Sequence, residues 1–247
     1  MLPATRRVGE AAARMQCMNS LKQLMLALHS YKSTGITTVH PAPGRLDARD
    51  REAFPPGCIG TGTVPEERLS WMVALLPFLE QGSAYQKFDI EKGYAENLPA
   101  AKSAIKLFHC PSANEAGTDN LVTNYVAMSG IGPTAAGQAA GAAGNGFMGY
   151  DRKTSSEMIK DGTSNTIALM ETRSGLGPWA HGGASNVRGF DPADQPWCGD
   201  QRPFEGHSNG INAAMADGSV RFIRSSVDPK TLAAAITIAG GESIDLD

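Results

Sequence analysis

The chain has 247 residues, of which 41% are hydrophobic and 19% charged, and its formal net charge is −3 at pH 7. This apolar content is enough to bury a core, which excludes a wholly disordered chain. The small negative charge and the lack of a basic block argue against a nucleic-acid-binding protein.

A long amphipathic helix is predicted at the N-terminus, from about Arg6 to Lys32. Apolar side chains recur there at steps of three and four residues, which is the spacing of one helix face. The stripe consists of Met15, Met18, Leu21, Leu24, Met25 and Leu28. A helix of about 25 residues is about 38 Å long, so residues 1–34 are expected to form a spine for the head domain, 35–247.

Short elements are predicted in the middle of the chain, after a proline-rich loop at 36–65. The segment "EERLSWMVALLPFLEQG" predicts a helix interrupted near Pro77, because proline removes a helical hydrogen bond. Strands are predicted near 121–128 and from Thr166 to Thr172, where β-forming residues are enriched.

Two long irregular loops are predicted, at 129–149 and 174–210. The first is rich in glycine and alanine, and its glycines do not follow a phosphate-binding pattern. The second carries Trp179 and Trp197. These tryptophans could form a ligand-binding site for a sugar or peptide, although anchoring of the loop to the sheet is the favoured interpretation.

A β-hairpin is predicted near the C-terminus, because "INAAMA" and "SVRFI" flank the dipeptide Asp217-Gly218. A two-residue Asp-Gly loop is typical of a type I′ turn, in which both central residues have positive φ. The predicted pairs are Ala216 with Ser219 and Ile211 with Arg224. A short helix capped by Asp228 and Pro229 is predicted to follow.

His207 precedes this hairpin, so that a histidine, nine residues and Asp217-Gly218 form a motif. A catalytic or metal-binding His–Asp pair is one interpretation. Extended chain separates the two residues, however, so the favoured interpretation is a structural motif in which Asp217-Gly218 makes the turn. The sequence also contains no G-x-S-x-G or H-E-x-x-H pattern, which argues against an enzyme.

A calcium site is a further candidate, because "DGTSN" places oxygen-bearing side chains at alternate positions. Its candidate ligands are Asp161, Thr163, Asn165 and Glu171. The glycine and closing glutamate of a calcium loop are missing, so an Asx-type turn leading into the strand is favoured. No other cofactor is expected.

The chain resembles a large bacterial family of pilin-like proteins that is named for the H-x9-DG motif and labelled "solute-binding". The resemblance rests on an ordered set of segments. They are "EAAARMQCMNSLKQLMLALHSY", "FPPG", "SWMVALLPFLEQGSAYQKFD", "FHCPS", "NYVAMSG", "DGTSNTIALMET", "GHSNGINAAMADGSVRFI" and "DPKTLAAAITIAGGESID".

This resemblance implies an α+β, pilin-like fold: a long N-terminal helix on an antiparallel sheet, with long loops and a short C-terminal helix. It also implies similarity to type II secretion pseudopilins, whose apolar N-terminal helix anchors them in the inner membrane. The chain then looks like a truncated soluble form of a periplasmic, membrane-anchored protein. Its implied partners are other pilin-like subunits or secretion machinery.

Cysteine spacing alone leaves three full pairings open. In an exported protein the expected disulfides are Cys17–Cys110 and Cys58–Cys198, and buried free cysteines are the alternative.

Three functions are therefore expected, in this order. The first is a non-enzymatic subunit that acts by assembly or surface interaction through the helix and loops. The second is an extracytoplasmic module that binds a carbohydrate or small solute at the tryptophan-bearing loop. The third is an enzyme with a site near His207.

Overall fold

In the computed structural model, the residues described are 3–34, 52–111, 113, 121–242 and 246, with side chains from residue 9 onward. Residues 36–51 of the predicted proline-rich loop lie outside them. The fold is α+β, as expected. Helix α1 (Pro3–Ser33) confirms the predicted long N-terminal helix, and its 31 residues extend over about 46 Å.

The inner face of α1 packs on the sheet. Leu21, Leu24 and Leu28 are fully buried, as the predicted stripe requires. The prediction that Met15 belongs to this buried stripe was wrong, because Met15 is 65% exposed. Met15 lies about 200° around the helix from the buried Cys17, so it faces away from the body.

Short elements connect α1 to the sheet. Their bounds are β1 (Cys58–Ile59), β2 (Leu69–Ser70), α2 (Trp71–Leu75), α3 (Gly82–Tyr85) and α4 (Leu98–Ala101). Helix α2 passes directly into a 3-10 turn, Leu76–Leu79, which contains Pro77. The predicted interruption at this proline is confirmed.

Five strands form the main sheet, in the order β5-β3-β4-β6-β7. Their bounds are β3 (Tyr125–Ile131), β4 (Ile167–Glu171), β5 (Val187–Phe190), β6 (Gly210–Met215) and β7 (Val220–Arg224). All neighbours are antiparallel except β5, which is parallel to β3.

Strand β5 corrects the prediction of a loop over 174–210. The strand has only four residues and includes Gly189, so it carries no alternating pattern that would reveal it. The loop predicted at 129–149 also begins too early, because β3 continues to Ile131.

The β6–β7 hairpin is confirmed, but its register differs by one residue from the prediction. Ile211 pairs with Ile223, and Met215 donates its N–H to the Ser219 carbonyl. The loop therefore has three residues, of which only Gly218 has positive φ, at 92°. This is the three-residue hairpin loop in which a glycine follows a type I turn.

Two hydrophobic clusters lie on opposite faces of the sheet. The first includes the inner face of α1, Trp71 and Leu169. The second includes Met170, Ile211 and helix α5 (Pro229–Ile236). The predicted cap of α5 is confirmed, since the Asp228 carboxylate accepts the N–H groups of residues 230 and 231.

Candidate functional site

A group of polar residues lies between the N-terminal half of α1 and the sheet. We call it the His207 cluster, and its members are Glu10, Cys17, Cys110, Glu171, His207 and Asn212. Helix α1 contributes the first two, and Cys110 follows a 3-10 turn that ends at Phe108. Glu171 ends β4, Asn212 lies within β6, and His207 lies three residues before the start of β6.

A tight turn holds His207 in place. His207 and Gly210 exchange backbone hydrogen bonds of 2.9 and 3.2 Å, and Asn209 between them has a φ of 68°. A side chain at Gly210 would collide with the Ile223 carbonyl of the neighbouring strand. The glycine therefore allows the turn to lie against β7 and fixes the position of the imidazole.

The His207 imidazole lies between two carboxylates. Its Nδ1 is 2.8 Å from Glu10 Oε1, and its Nε2 is 3.3 Å from Glu171 Oε1. The His207 side chain is only 1% exposed. The second oxygen of Glu171 accepts a hydrogen bond of 3.0 Å from the Asn212 amide. The cluster thus joins α1 to two central strands.

The two carboxylates change the acidity of the histidine. Burial alone would lower the pKa of His207, but the neighbouring carboxylates of Glu171 and Glu10 outweigh burial and raise it. Burial also opposes ionisation of Glu10, yet its contacts with His207 and the charge of Arg173 lower the pKa of Glu10. The folded state therefore favours a charged His207–Glu10 pair.

This pair predicts how stability depends on pH. The contribution of His207 is fully present below its ordinary pKa of 6.5 and is lost as pH rises through its raised folded pKa. The contribution of Glu10 is present above 4.5 and is lost at lower pH. We expect the melting temperature of the wild type to decline as pH rises above about 6.5, and the melting temperature of His207→Gln not to show this decline. A decline of equal size in both proteins, measured by calorimetry, would contradict this.

The control for that experiment is His181→Gln. His181 stacks edge-on against Tyr94, away from the two carboxylates. This variant is expected to keep the decline of the wild type on the alkaline side.

The predicted motif divides into two parts that lie at opposite ends of β6. The Asp217 carboxylate accepts the N–H of Ser219 at 2.8 Å and so closes the hairpin loop. His207 contacts carboxylates instead, which the sequence interpretation missed. For Glu10 a signal existed: residues 10, 14, 17, 21, 24 and 28 continue the buried stripe at helical spacing.

The four candidate calcium ligands are not brought together. The Asp161 carboxylate accepts the N–H groups of Gly240 and Gly241, at 2.7 and 2.8 Å. Glu171 lies at the other end of β4, about 13 Å further along the strand than its first residue. The Asn165 amide donates to the Asp161 carbonyl, and the Thr163 carbonyl accepts the N–H of Asp217. The favoured interpretation, a turn leading into the strand, fits these contacts.

Both loop tryptophans are buried, so neither presents an aromatic surface to a ligand. Trp179 packs against Phe88 and Phe108, and its indole N–H donates to the Ser103 carbonyl. Trp197 lies in the cluster on the α5 side, and its N–H donates to the Val227 carbonyl. The two side chains anchor the loop, which was the favoured interpretation.

One of the two predicted disulfides forms. Cys17 and Cys110 are bonded, with their Cα atoms 5.6 Å apart. The Cys58–Cys198 prediction was wrong, because both of these cysteines are free and buried. Cys198 belongs to the cluster on the α5 face, whereas Ile59, next to Cys58, belongs to the cluster on the α1 face. Burial raises the pKa of each free thiol to about 11.

Comparison with models of protein families gives a match for the chain. The profile of a family described as "Protein of unknown function (DUF1559)" matches residues 6–202, which include the Cys17–Cys110 disulfide and Glu171 but end before His207. Neither a curated protein nor a solved structure matches the chain. Since the match covers more than half of its residues, the chain belongs to the DUF1559 family.

Proposed function

We propose that the protein is a non-enzymatic, pilin-like extracytoplasmic subunit that acts by assembly through α1. The observation that carries this proposal is the two-sided character of the helix. Its inner face is fixed to the sheet by the buried stripe, the disulfide and the His207 cluster. Its outer face remains exposed over the same length.

The composition of the outer face suits contact with another helix. Leu26 is 68% exposed and Met15 is 65% exposed. The other exposed side chains between them and just before them are Ala11, Ala12, Gln16, Asn19, Lys22 and Gln23. Apolar side chains with few charges are typical of the core of a protein interface. The proposed partners are therefore other pilin-like subunits.

The disulfide supports a location outside the cytoplasm, because such bonds persist in oxidising compartments. In the proposed role, an apolar segment preceding α1 in the full-length protein would anchor it in the inner membrane. Within the described part of the chain, no helix is long and apolar enough to span a bilayer.

Catalysis has no part in the proposed role. Both nitrogens of His207 face carboxylates, and the side chain is 1% exposed, so a substrate has no access to the imidazole. The cluster instead stabilises the packing of α1 on the sheet.

Leu26→Glu tests the assembly surface. We expect the wild type to self-associate at high concentration in sedimentation equilibrium, and Leu26→Glu to weaken association by at least tenfold without lowering the melting temperature. Leu98→Glu is the matched control, since Leu98 is 43% exposed on α4. A wild type that stays monomeric, or an equal effect of both variants, would count against the proposal.

Solute binding is a second candidate, favoured by a cavity rather than by the tryptophans. The cavity has a volume of about 260 Å³ and lies between residues 140–145 and residues 237–239, with Arg152 and Lys160 in its lining. Its size suits a single sugar or amino acid. Thermal-shift measurements with panels of these compounds test this candidate, with Ala142→Trp as the comparison because its side chain would fill the cavity. Solute binding predicts that a compound raises the melting temperature of the wild type but not of Ala142→Trp, whereas assembly predicts no such difference.

A further inference from the structure

The His207 cluster contains a set of atoms that suits a metal ion. The sulfurs of Cys17 and Cys110 and one ring nitrogen of His207 lie within 4.8 Å of one another, and all three residues are buried. Thiolate and imidazole are the ligands that zinc prefers in structural sites. In the oxidised chain the two sulfurs are bonded to each other, so this set is available only after reduction.

A second observation concerns the spacing of two buried atoms at the same place. His207 Nε2 and Glu171 Oε1 form a buried ion pair at 3.3 Å. Two ligands of a tetrahedral zinc ion, at bond lengths of about 2.0 to 2.1 Å, also lie about 3.3 Å apart. Once His207 has lost its proton, an ion could therefore bind both atoms without changing the distance between them.

The other ring nitrogen already has the partner that a zinc-binding histidine needs. A metal-bound histidine usually donates its second N–H to a carboxylate, which orients the ring. His207 Nδ1 lies 2.8 Å from Glu10 Oε1. Glu10 is thus placed to orient the imidazole with Nε2 directed to the ion.

We propose that Cys17, Cys110 and His207 bind one zinc ion when the Cys17–Cys110 disulfide is reduced, with Glu171 completing the ligand set. A phosphine reductant opens the disulfide: it is oxidised to the phosphine oxide, and water supplies the oxygen and the two thiol protons. Each thiol then gives its proton to solvent as its Zn–S bond forms. Metal binding itself oxidises and reduces nothing.

Both states of the cysteines, disulfide-bonded and zinc-bound, would hold α1 in place. In an oxidising compartment the disulfide joins α1 to the segment after the 3-10 turn, and in a reducing compartment the zinc ion joins the same two residues. Zinc would therefore keep α1 on the sheet before the chain is oxidised. This inference does not depend on the proposed assembly.

Cobalt titration of the full chain tests the site, because Co²⁺ bound tetrahedrally by thiolates absorbs strongly in the visible region. The phosphine-reduced wild type is expected to bind one Co²⁺ per chain, which zinc displaces, and the oxidised chain none. Cys17→Ser should abolish the spectrum, and His207→Gln should weaken binding at least tenfold. Glu10→Gln should weaken it by about 10- to 100-fold, as for other carboxylates that orient a ligand.

The matched control is the double variant Cys58→Ser/Cys198→Ser, which removes the two free thiols and should bind cobalt like the wild type. Circular dichroism monitors folding in every sample. If reduction unfolds the chain, zinc must restore the spectrum of the oxidised protein. The proposal is overturned if the reduced wild type binds no cobalt, if zinc fails to restore a chain unfolded by reduction, or if Cys17→Ser or His207→Gln binds as tightly as the wild type.

Discussion

Replacing both Cys17 and Cys110 by serine is expected to lower the free energy of unfolding by about 4 kcal/mol, and the melting temperature by roughly 10 °C. The disulfide joins residues 93 positions apart and so restricts a long loop in the unfolded chain. Without the disulfide, the conformational entropy of the unfolded chain is higher, which favours unfolding. The loss should be measured by urea unfolding with a chelator present, so that no metal ion contributes.

Cys58→Ser/Cys198→Ser again provides the comparison for this experiment. It removes two cysteines without opening a cross-link, and any loss comes from burying two hydroxyl groups. If this double variant loses as much stability as the Cys17/Cys110 variant, the disulfide is not the main cause of the loss.

Glu171→Gln is expected to cost about 3 kcal/mol near pH 6, because it removes the buried charge that faces His207. The glutamine has the same shape, so packing against the sheet is retained. Its side chain can still accept the hydrogen bond of Asn212, which separates the loss of charge from the loss of that bond. The difference between wild type and variant should shrink as pH rises and His207 loses its proton.

Glu66→Gln serves as the control, since it changes the same atoms at an exposed position outside the His207 cluster. Its expected effect is below about 0.5 kcal/mol. A cost for Glu171→Gln that is equally small, or that does not vary with pH, would show that His207 is not charged in the folded protein near pH 6.

The sequence predicts the elements with strong local signals. The spacing of Leu21, Leu24 and Leu28 predicts α1, and Asp228 with Pro229 predicts the start of α5. Strand β5 escapes prediction because four residues with an internal glycine gain their structure only by pairing with β3. The hairpin register fails because an Asp-Gly pair fits both a two-residue loop and the end of a three-residue loop.

The candidate site is less predictable than the fold, because its residues come from distant parts of the chain. His207 and Asp217 stand out as a motif, yet the contacts of His207 are with Glu10 and Glu171. Only the helical spacing of Glu10 hints at this arrangement. The position of Glu171 opposite Asn212 depends on the order of β4 and β6 in the sheet, which local sequence does not encode.

The packing of α1 on the sheet also determines when the protein can finish folding. Glu10 contacts a residue 197 positions later in the chain, and His29 bonds a carbonyl 187 positions later. Although α1 is synthesised first, its contacts with β6 are therefore among the last to form. Until then the part of the apolar stripe that packs on β6 stays uncovered, and contacts of such long range close slowly.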